Sequence, residues 1–283
     1  MIECLPISCS PDAIPAPRTF ATLAEVGCRG LELRFSCPDA SQRRQCFLEM
    51  LDLARSHNLH PASLTPTELD LFSLCHPDKD RLEQAKLTIR EYIDLATDCR
   101  IDFPRPPDAN PLSDNSIPTS QSPSVPWCLP LITLRAPRTS MERLLPYEQS
   151  FNTLFQSLKE LACDAEAASL IIALENPAAG LLLSPLELRE FIDQFNTPAL
   201  GICFNPVHVA VLGDPLDWLA ILDGRIVALR LAPSDILPEH LRRRLPDPAE
   251  LRSAFLRNTV GNVILNEEET DKESTLHING NHS

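Results

Sequence analysis

Short apolar runs separated by amphipathic helical patterns recur along the chain. Eight runs read as strands: Ile2–Cys9, Gly30–Phe35, Leu59–Leu64, Cys128–Arg135, Ser169–Glu175, Ala199–Phe204, Arg225–Leu231 and Gly261–Asn266. Between most of them apolar residues return every three or four positions, the spacing that places them on one helix face. Phe151, Leu154, Leu158, Leu161 and Ala165 make one such stripe, and Leu188, Ile192 and Phe195 a second. Leu82, Ala85, Ile89, Ile93 and Ala96 make a third, inside a helix over Asp80–Cys99. Strands that are apolar throughout are covered on both faces, which implies a parallel sheet with helices outside it. Eight repeats favour closure into a (β/α)8 barrel over an open doubly wound sheet.

Two segments break the rhythm. Phe103–Pro126 is rich in Pro, Ser, Asn and Asp and has no apolar period, so it reads as a disordered or loop insertion before the fourth strand. Residues 267–283 begin acidic and end polar, and are expected to form a flexible tail. The barrel itself is assigned to residues 1–266 as a single domain.

Composition narrows the partners. The chain has 283 residues, 43% of them hydrophobic, enough for one large core. Its net charge is −14, from 25 basic and 39 acidic residues, and such a field repels phosphate. No nucleic acid and no membrane partner is expected. Apolar runs fall short of the roughly 20 residues of a membrane span, and the N-terminus lacks the basic start of a signal peptide. Ten cysteines are scattered without a CxxC pair, which favours reduced thiols and a cytoplasmic location. The sequence holds no phosphate-binding Gly loop, dinucleotide fingerprint, nucleophile elbow or zinc-protease motif.

The candidate chemistry lies where apolar runs end. SLIIALENP, ALGICFNPVH and RIVALRLAP deliver Glu175, Asn205 and Arg230 to strand tips, the places where a parallel barrel carries its site. A carboxylate, an amide and a guanidinium do not make a metal cage, since Arg cannot ligate and Asn does so weakly. Arg135, at the tip of the fourth strand, is a candidate for substrate or phosphate contact, or for a salt bridge to an acidic neighbour. His208, just past a strand, suits a site role or a loop cap. His60 reads as a core or rim residue, and Trp127 and Trp218 as packing anchors.

The motifs TFATLAEVGCRGLELRF, ALEN, FNPVH, VALRLAP and VGNVILNEEE, in that order, resemble the xylose-isomerase-like barrels, the sugar phosphate isomerase/epimerase group. In that family a Glu, an Asp, a His and a second Glu at strand tips hold one divalent ion. The ion grips adjacent oxygens of a ketose or aldose, and the two glutamates exchange the proton. The resemblance places Glu175 at the first glutamate, Asn205 at the aspartate and Arg230 at the histidine. The fourth position falls on Asn266, with Glu267 beside it. His208 corresponds to a substrate-contacting histidine and Glu32 to an early strand glutamate.

The resemblance therefore implies Glu175, Glu267 and Glu32 as catalytic candidates and His208, Arg230 and Asn205 as substrate contacts, to which its strand-tip position adds Arg135. The ligand is expected to be a small carbohydrate or polyol. No metal ligand set and no cofactor is expected. A divalent ion about 4 Å from the Arg230 guanidinium is repelled by roughly 8 kcal/mol at an effective dielectric near 20. The alternative is a weakly held Mn or Mg ion at Glu175. Arg230 is expected to pair with Glu175 across the barrel mouth, or else to turn out to solvent. The activity implied is that of a sugar isomerase or epimerase with its metal site largely lost. Alternatives are an inactive barrel that binds a small molecule or another protein, and a lyase or dehydratase using Glu175 and His208 without metal.

Overall fold

The computed structural model describes residues 3–9, 17–25, 30–35, 37, 40–102, 131–136, 146–231, 239–258 and 262–265. Eight parallel strands close into a barrel in chain order, with the first paired to the last. The strands are β1 (Glu3–Cys9), β2 (Gly30–Phe35), β3 (His60–Pro66), β4 (Leu131–Leu134), β5 (Ile171–Glu175), β6 (Leu200–Phe204), β7 (Ile226–Leu231) and β8 (Asn262–Leu265). The outer helices are α1 (Pro17–Glu25), α2 (Ala40–Ser56), α3 (Lys79–Asp102), α4 (Tyr147–Ala167), α5 (Pro185–Asp193), α6 (Pro206–Val209), α7 (Pro215–Ile221), α8 (Glu239–Arg242) and α9 (Pro248–Asn258). A 3-10 turn, Leu71–Cys75, precedes α3. All eight expected strand positions are occupied, with ends shifted by a few residues. The Pro-rich stretch 103–126 and the tail 267–283 lie outside the described residues.

Period-two alternation divides each strand between two environments. Leu31, Leu33 and Phe35 of β2, Ile172 and Leu174 of β5, Ile202 and Phe204 of β6, and Leu229 and Leu231 of β7 join the large core between sheet and helices. The expected stripes pack there too: Leu154, Leu158, Leu161 and Ala165 of α4, Leu188 and Ile192 of α5, and Ala85, Ile89, Ile93 and Ala96 of α3 are buried. Phe151, Phe155, Phe191 and Phe195 join α4 to α5 through ring contacts of 4.6 to 6.0 Å between centroids. Trp218 is a packing anchor, 4% exposed.

The opposite face of the sheet lines the barrel interior and is built from smaller residues. Leu131, Ala173, Cys203 and Ala228 form a separate apolar layer. Two residues further along their strands stand Thr133, Glu175, Asn205 and Arg230, all buried. The small side chains below leave room for the long arginine, which is among the largest fully buried side chains of the structure. Two register shifts, at Leu31/Glu32 between β2 and β3 and at Ile202/Cys203 between β6 and β7, lie beside these polar positions. Such irregularities re-aim side chains next to functional sites.

The candidate site at the barrel mouth

Glu175, the last residue of β5, is 1% exposed. Its Oε1 accepts 2.8 Å from the Asn205 amide and lies 3.2 Å from Arg230 Nε. Its Oε2 accepts the backbone N–H of Ala136 at 3.0 Å and faces Arg135 Nε at 4.0 Å. Burial raises this carboxyl, but the Arg230 charge, His208, Arg135 and the Asn205 amide outweigh it and hold the pKa below the usual range.

Glu32 lies further down the same interior. Its side chain is fully buried and all its acceptor sites are engaged. Arg230 donates to it as a fork, Nη2 to Oε1 at 2.6 Å and Nη1 to Oε2 at 3.0 Å. Arg34 Nε donates to Oε2 at 3.1 Å, and the Thr65 hydroxyl to Oε1 at 2.9 Å. Burial alone pushes this carboxyl up; Arg230, through charge and hydrogen bond, with Arg34 and Arg135, reverses the effect and lowers it to about 2. Both carboxylates are therefore ionised at neutral pH. Arg230 is driven the other way: burial lowers its pKa, Glu32, Cys203 and Glu175 raise it, and the net shift is upward. Cys203, inside the barrel beside Arg230, is pushed up to about 12 by burial and stays a thiol.

The sequence expectation that Arg230 meets Glu175 holds as a 3.2 Å ionic contact, but its bidentate partner is Glu32. It does not turn to solvent, being 1% exposed. Glu32, expected as a catalytic candidate, is closed off from solvent. Glu267, expected as its alternative, lies outside the described residues, as does Asn266.

Asn205 uses its whole amide. Nδ2 donates to Glu175, and Oδ1 caps the short helix α6 by accepting the Val207 N–H at 3.1 Å. An aspartate here would set a second acceptor against the Glu175 carboxylate, so the amide is the group that suits both neighbours. Asn176, which the sequence reading passed over, pins the same turn. Its side chain accepts the Asn205 N–H at 2.6 Å and donates to the Asn205 carbonyl at 3.1 Å. His208 Nδ1 lies 2.8 Å from the Asn176 carbonyl. A carbonyl only accepts, so Nδ1 carries the proton and Nε2 keeps its lone pair when the ring is neutral.

Arg135 follows β4, with its side chain 17% exposed. Burial lowers its pKa, Glu175 opposes this, and Arg230 and Arg34 add to it; a guanidinium stays charged under such a shift. Arg34 and Thr65 were also missed in the sequence, although each stands two residues beyond a polar residue on its strand, Glu32 and Ser63, where alternation returns to the same face. His60 opens β3, at the opposite end of the barrel. An open groove of about 590 Å³, lined by Val211, Leu212, Asp214, Arg243, Arg244 and Glu250 among others, involves none of these site residues.

A closed parallel barrel with its polar side chains gathered at the C-terminal ends of the strands defines the class of architecture. The family follows from the chain itself: residues 20–249 match the model of the xylose isomerase-like TIM barrel, and the protein belongs to that family. Comparison with curated proteins finds no match. Solved structures share the fold at low identity. A D-psicose 3-epimerase from Clostridium cellulolyticum H10, crystallised with D-tagatose, aligns with a TM-score of 0.65 at 14% identity, over 94% of this chain and 84% of that one. A 3-keto-D-glucoside 4-epimerase from E. coli gives 0.65 at 11%, over 93% and 91%. A protein from Brucella melitensis described as an AP endonuclease of family 2 gives 0.57 at 13%, over 94% and 92%.

Proposed function

We propose that this barrel binds a small carbohydrate or polyol at its mouth, and that the Arg230 guanidinium stands where the family's divalent ion is held. One observation carries the reading: Arg230 is buried between Glu32 and Glu175, within hydrogen-bond or ion-pair distance of both. Asn205 supports it. At the aspartate position an amide donates to Glu175, so the carboxylate is satisfied by protein groups on both oxygens. Among the described residues no group of three or more His, Cys, Asp or Glu is placed to hold an ion. The described donor set thus does not fit the family's metal.

In this reading Glu32 is the counter-ion that fixes Arg230, and Glu175 positions Arg230, Asn205 and Arg135. A carboxylate held below its usual pKa is a weak proton acceptor, since a general base works best with a pKa near the operating pH. Among the described site residues, His208 Nε2 and the Arg135 guanidinium are available to meet a ligand. A second reading keeps turnover, with Glu175 as base and Glu267 as its partner. It is supported by the family and by the epimerases among the similar structures.

The test is elemental analysis of mildly purified protein, followed by a thermal-shift screen against sugars and polyols with and without Mn or chelator. A ligand raises the midpoint by mass action. The expected result is ligand stabilisation indifferent to chelator, with no incorporation of solvent deuterium into the ligand. A stoichiometric ion touching Glu175 overturns the metal-free reading, and deuterium incorporation that Glu175→Gln abolishes establishes turnover.

A further inference from the structure

Two Asn–Pro steps meet at the mouth. Asn176–Pro177 follows β5 and Asn205–Pro206 follows β6. A proline brings no N–H and holds the residue before it extended. The backbone ladder between these strands stops at Glu175 and Cys203. Beyond it the Asn176 side chain supplies a rung of its own. Its amide accepts the Asn205 N–H at 2.6 Å and donates to the Asn205 carbonyl at 3.1 Å, the two bonds a peptide group would make. The residue is fully buried with both ends of its amide engaged, so any effect it has on a ligand passes through a neighbour.

That neighbour is His208. With the side chain tied to the β6 tip, the Asn176 carbonyl is held in one direction, and it lies 2.8 Å from His208 Nδ1. The bond made by one ring nitrogen decides which of the two carries the proton, and a carbonyl demands a donor. His208 is half-buried, and among the described residues no group is hydrogen-bonded to its Nε2. Arg135 approaches the same carboxylate, Glu175, on which both His208 and Arg135 act.

Resting on the reading that the mouth binds a small carbohydrate, we propose that Asn176 is a positioning residue whose clamp on Asn205 fixes His208 with a bare Nε2, which accepts a hydrogen bond from a ligand hydroxyl. A guanidinium only donates, so the mouth then presents one acceptor and one donor. A hydroxyl answers both, giving its proton to Nε2 and its lone pairs to Arg135. With the ring proton on Nε2 instead, both groups donate and the hydroxyl proton has no partner between them.

The experiment has two arms, both on the full chain. In the first, NMR of isotope-labelled histidine reads the ring nitrogens at a pH above which their signals stop moving, and the signal lost in His208→Ala assigns the ring. The proton is expected on Nδ1. Asn176→Ala is expected to move it, at least in part, to Nε2, whereas Gly201→Ala, which disturbs packing beneath the site, leaves it in place. A proton on Nε2 of the unmodified protein overturns the proposal whether or not Asn176→Ala folds. An unchanged ring in Asn176→Ala, or an equal shift in Gly201→Ala, overturns it too.

In the second arm, calorimetric titration uses sorbitol, galactitol, glucose and galactose. His208→Ala is expected to weaken the tightest of these about tenfold, the increment of one hydrogen bond. Asn176→Ala is expected to weaken it as well, and the double variant to bind no worse than His208→Ala, because the two act as one unit. Losses that multiply overturn the proposal. If none of the four binds the unmodified protein, the carbohydrate reading falls together with the hydroxyl partner of Nε2, and the ring proton alone decides whether Asn176 sets the histidine.

Discussion

Arg230 and Glu32, 198 residues apart in sequence, meet inside the barrel through two parallel hydrogen bonds of 2.6 and 3.0 Å, with neither side chain more than 1% exposed. The pair joins β7 to β2 across the interior. Its energetics are those of a buried ion pair: little net gain over an apolar filling of the same shape, but a large penalty when one partner is removed.

Arg230→Met is therefore expected to destabilise the fold by about 3–5 kcal/mol, because it strands two buried carboxylates. Adding Glu32→Gln to it is expected to recover part of the loss. Urea unfolding at pH 7 measures both. A loss for the single variant below about 1 kcal/mol contradicts the buried pair.

Stability is expected to fall in acid through these same groups. Glu32 has a folded pKa near 2 against an ordinary 4.5, and Glu175 is shifted in the same direction. A depressed carboxyl contributes stability that is complete above its unfolded pKa and lost as pH falls towards the folded one. The window for Glu32 runs from about 4.5 down to about 2. Urea midpoints measured between pH 6 and pH 3 are expected to drop, and Glu32→Gln to flatten the drop. A profile equally steep in that variant sinks the assignment.

Asn205→Asp alone is expected to cost about 1–3 kcal/mol at neutral pH, by replacing a donor to Glu175 with an acceptor. Combined with Arg230→His, it restores two of the residue types through which the family binds its ion. The double variant is expected to bind Mn more tightly than the unmodified protein. Calorimetric titration with Mn reads the difference, and tight Mn binding by the unmodified chain contradicts the premise.

Gly201→Ala tests the packing beneath the site. A Cβ at this position of β6 would lie 2.6 Å from Val227 Cγ1 and 2.8 Å from Cγ2. The branched valine on β7 has little freedom to withdraw, so a loss of about 1–3 kcal/mol is expected. Val227→Ala is expected to restore most of it. Equal losses with and without that second change rule out the clash as the cause.

The barrel was legible because its strands are apolar on both faces and its helices carry regular stripes, signals that local sequence contains. Glu175, Asn205 and Arg230 stood out as polar residues at the ends of such runs. Arg34, Thr65 and Asn176 did not, because a polar residue inside or just past a strand gives no sign of which distant group it will satisfy. The main partner of Arg230 was misjudged for the same reason. Glu175 is nearer in sequence and closes a motif, whereas Glu32 becomes the bidentate partner only once the sheet has curled round and small residues such as Ala173 and Ala228 have made room.

The span of the Arg230–Glu32 contact also imposes an order on folding. β2 is synthesised long before β7, so until Arg230 arrives Glu32 has Arg34 of its own strand and Thr65 as partners but lacks the bidentate fork. A nascent or truncated chain ending before Arg230 is expected to bury this carboxylate less readily, because two of its four donors are missing. The last third of the protein thus acts as the key that lets the first third become watertight.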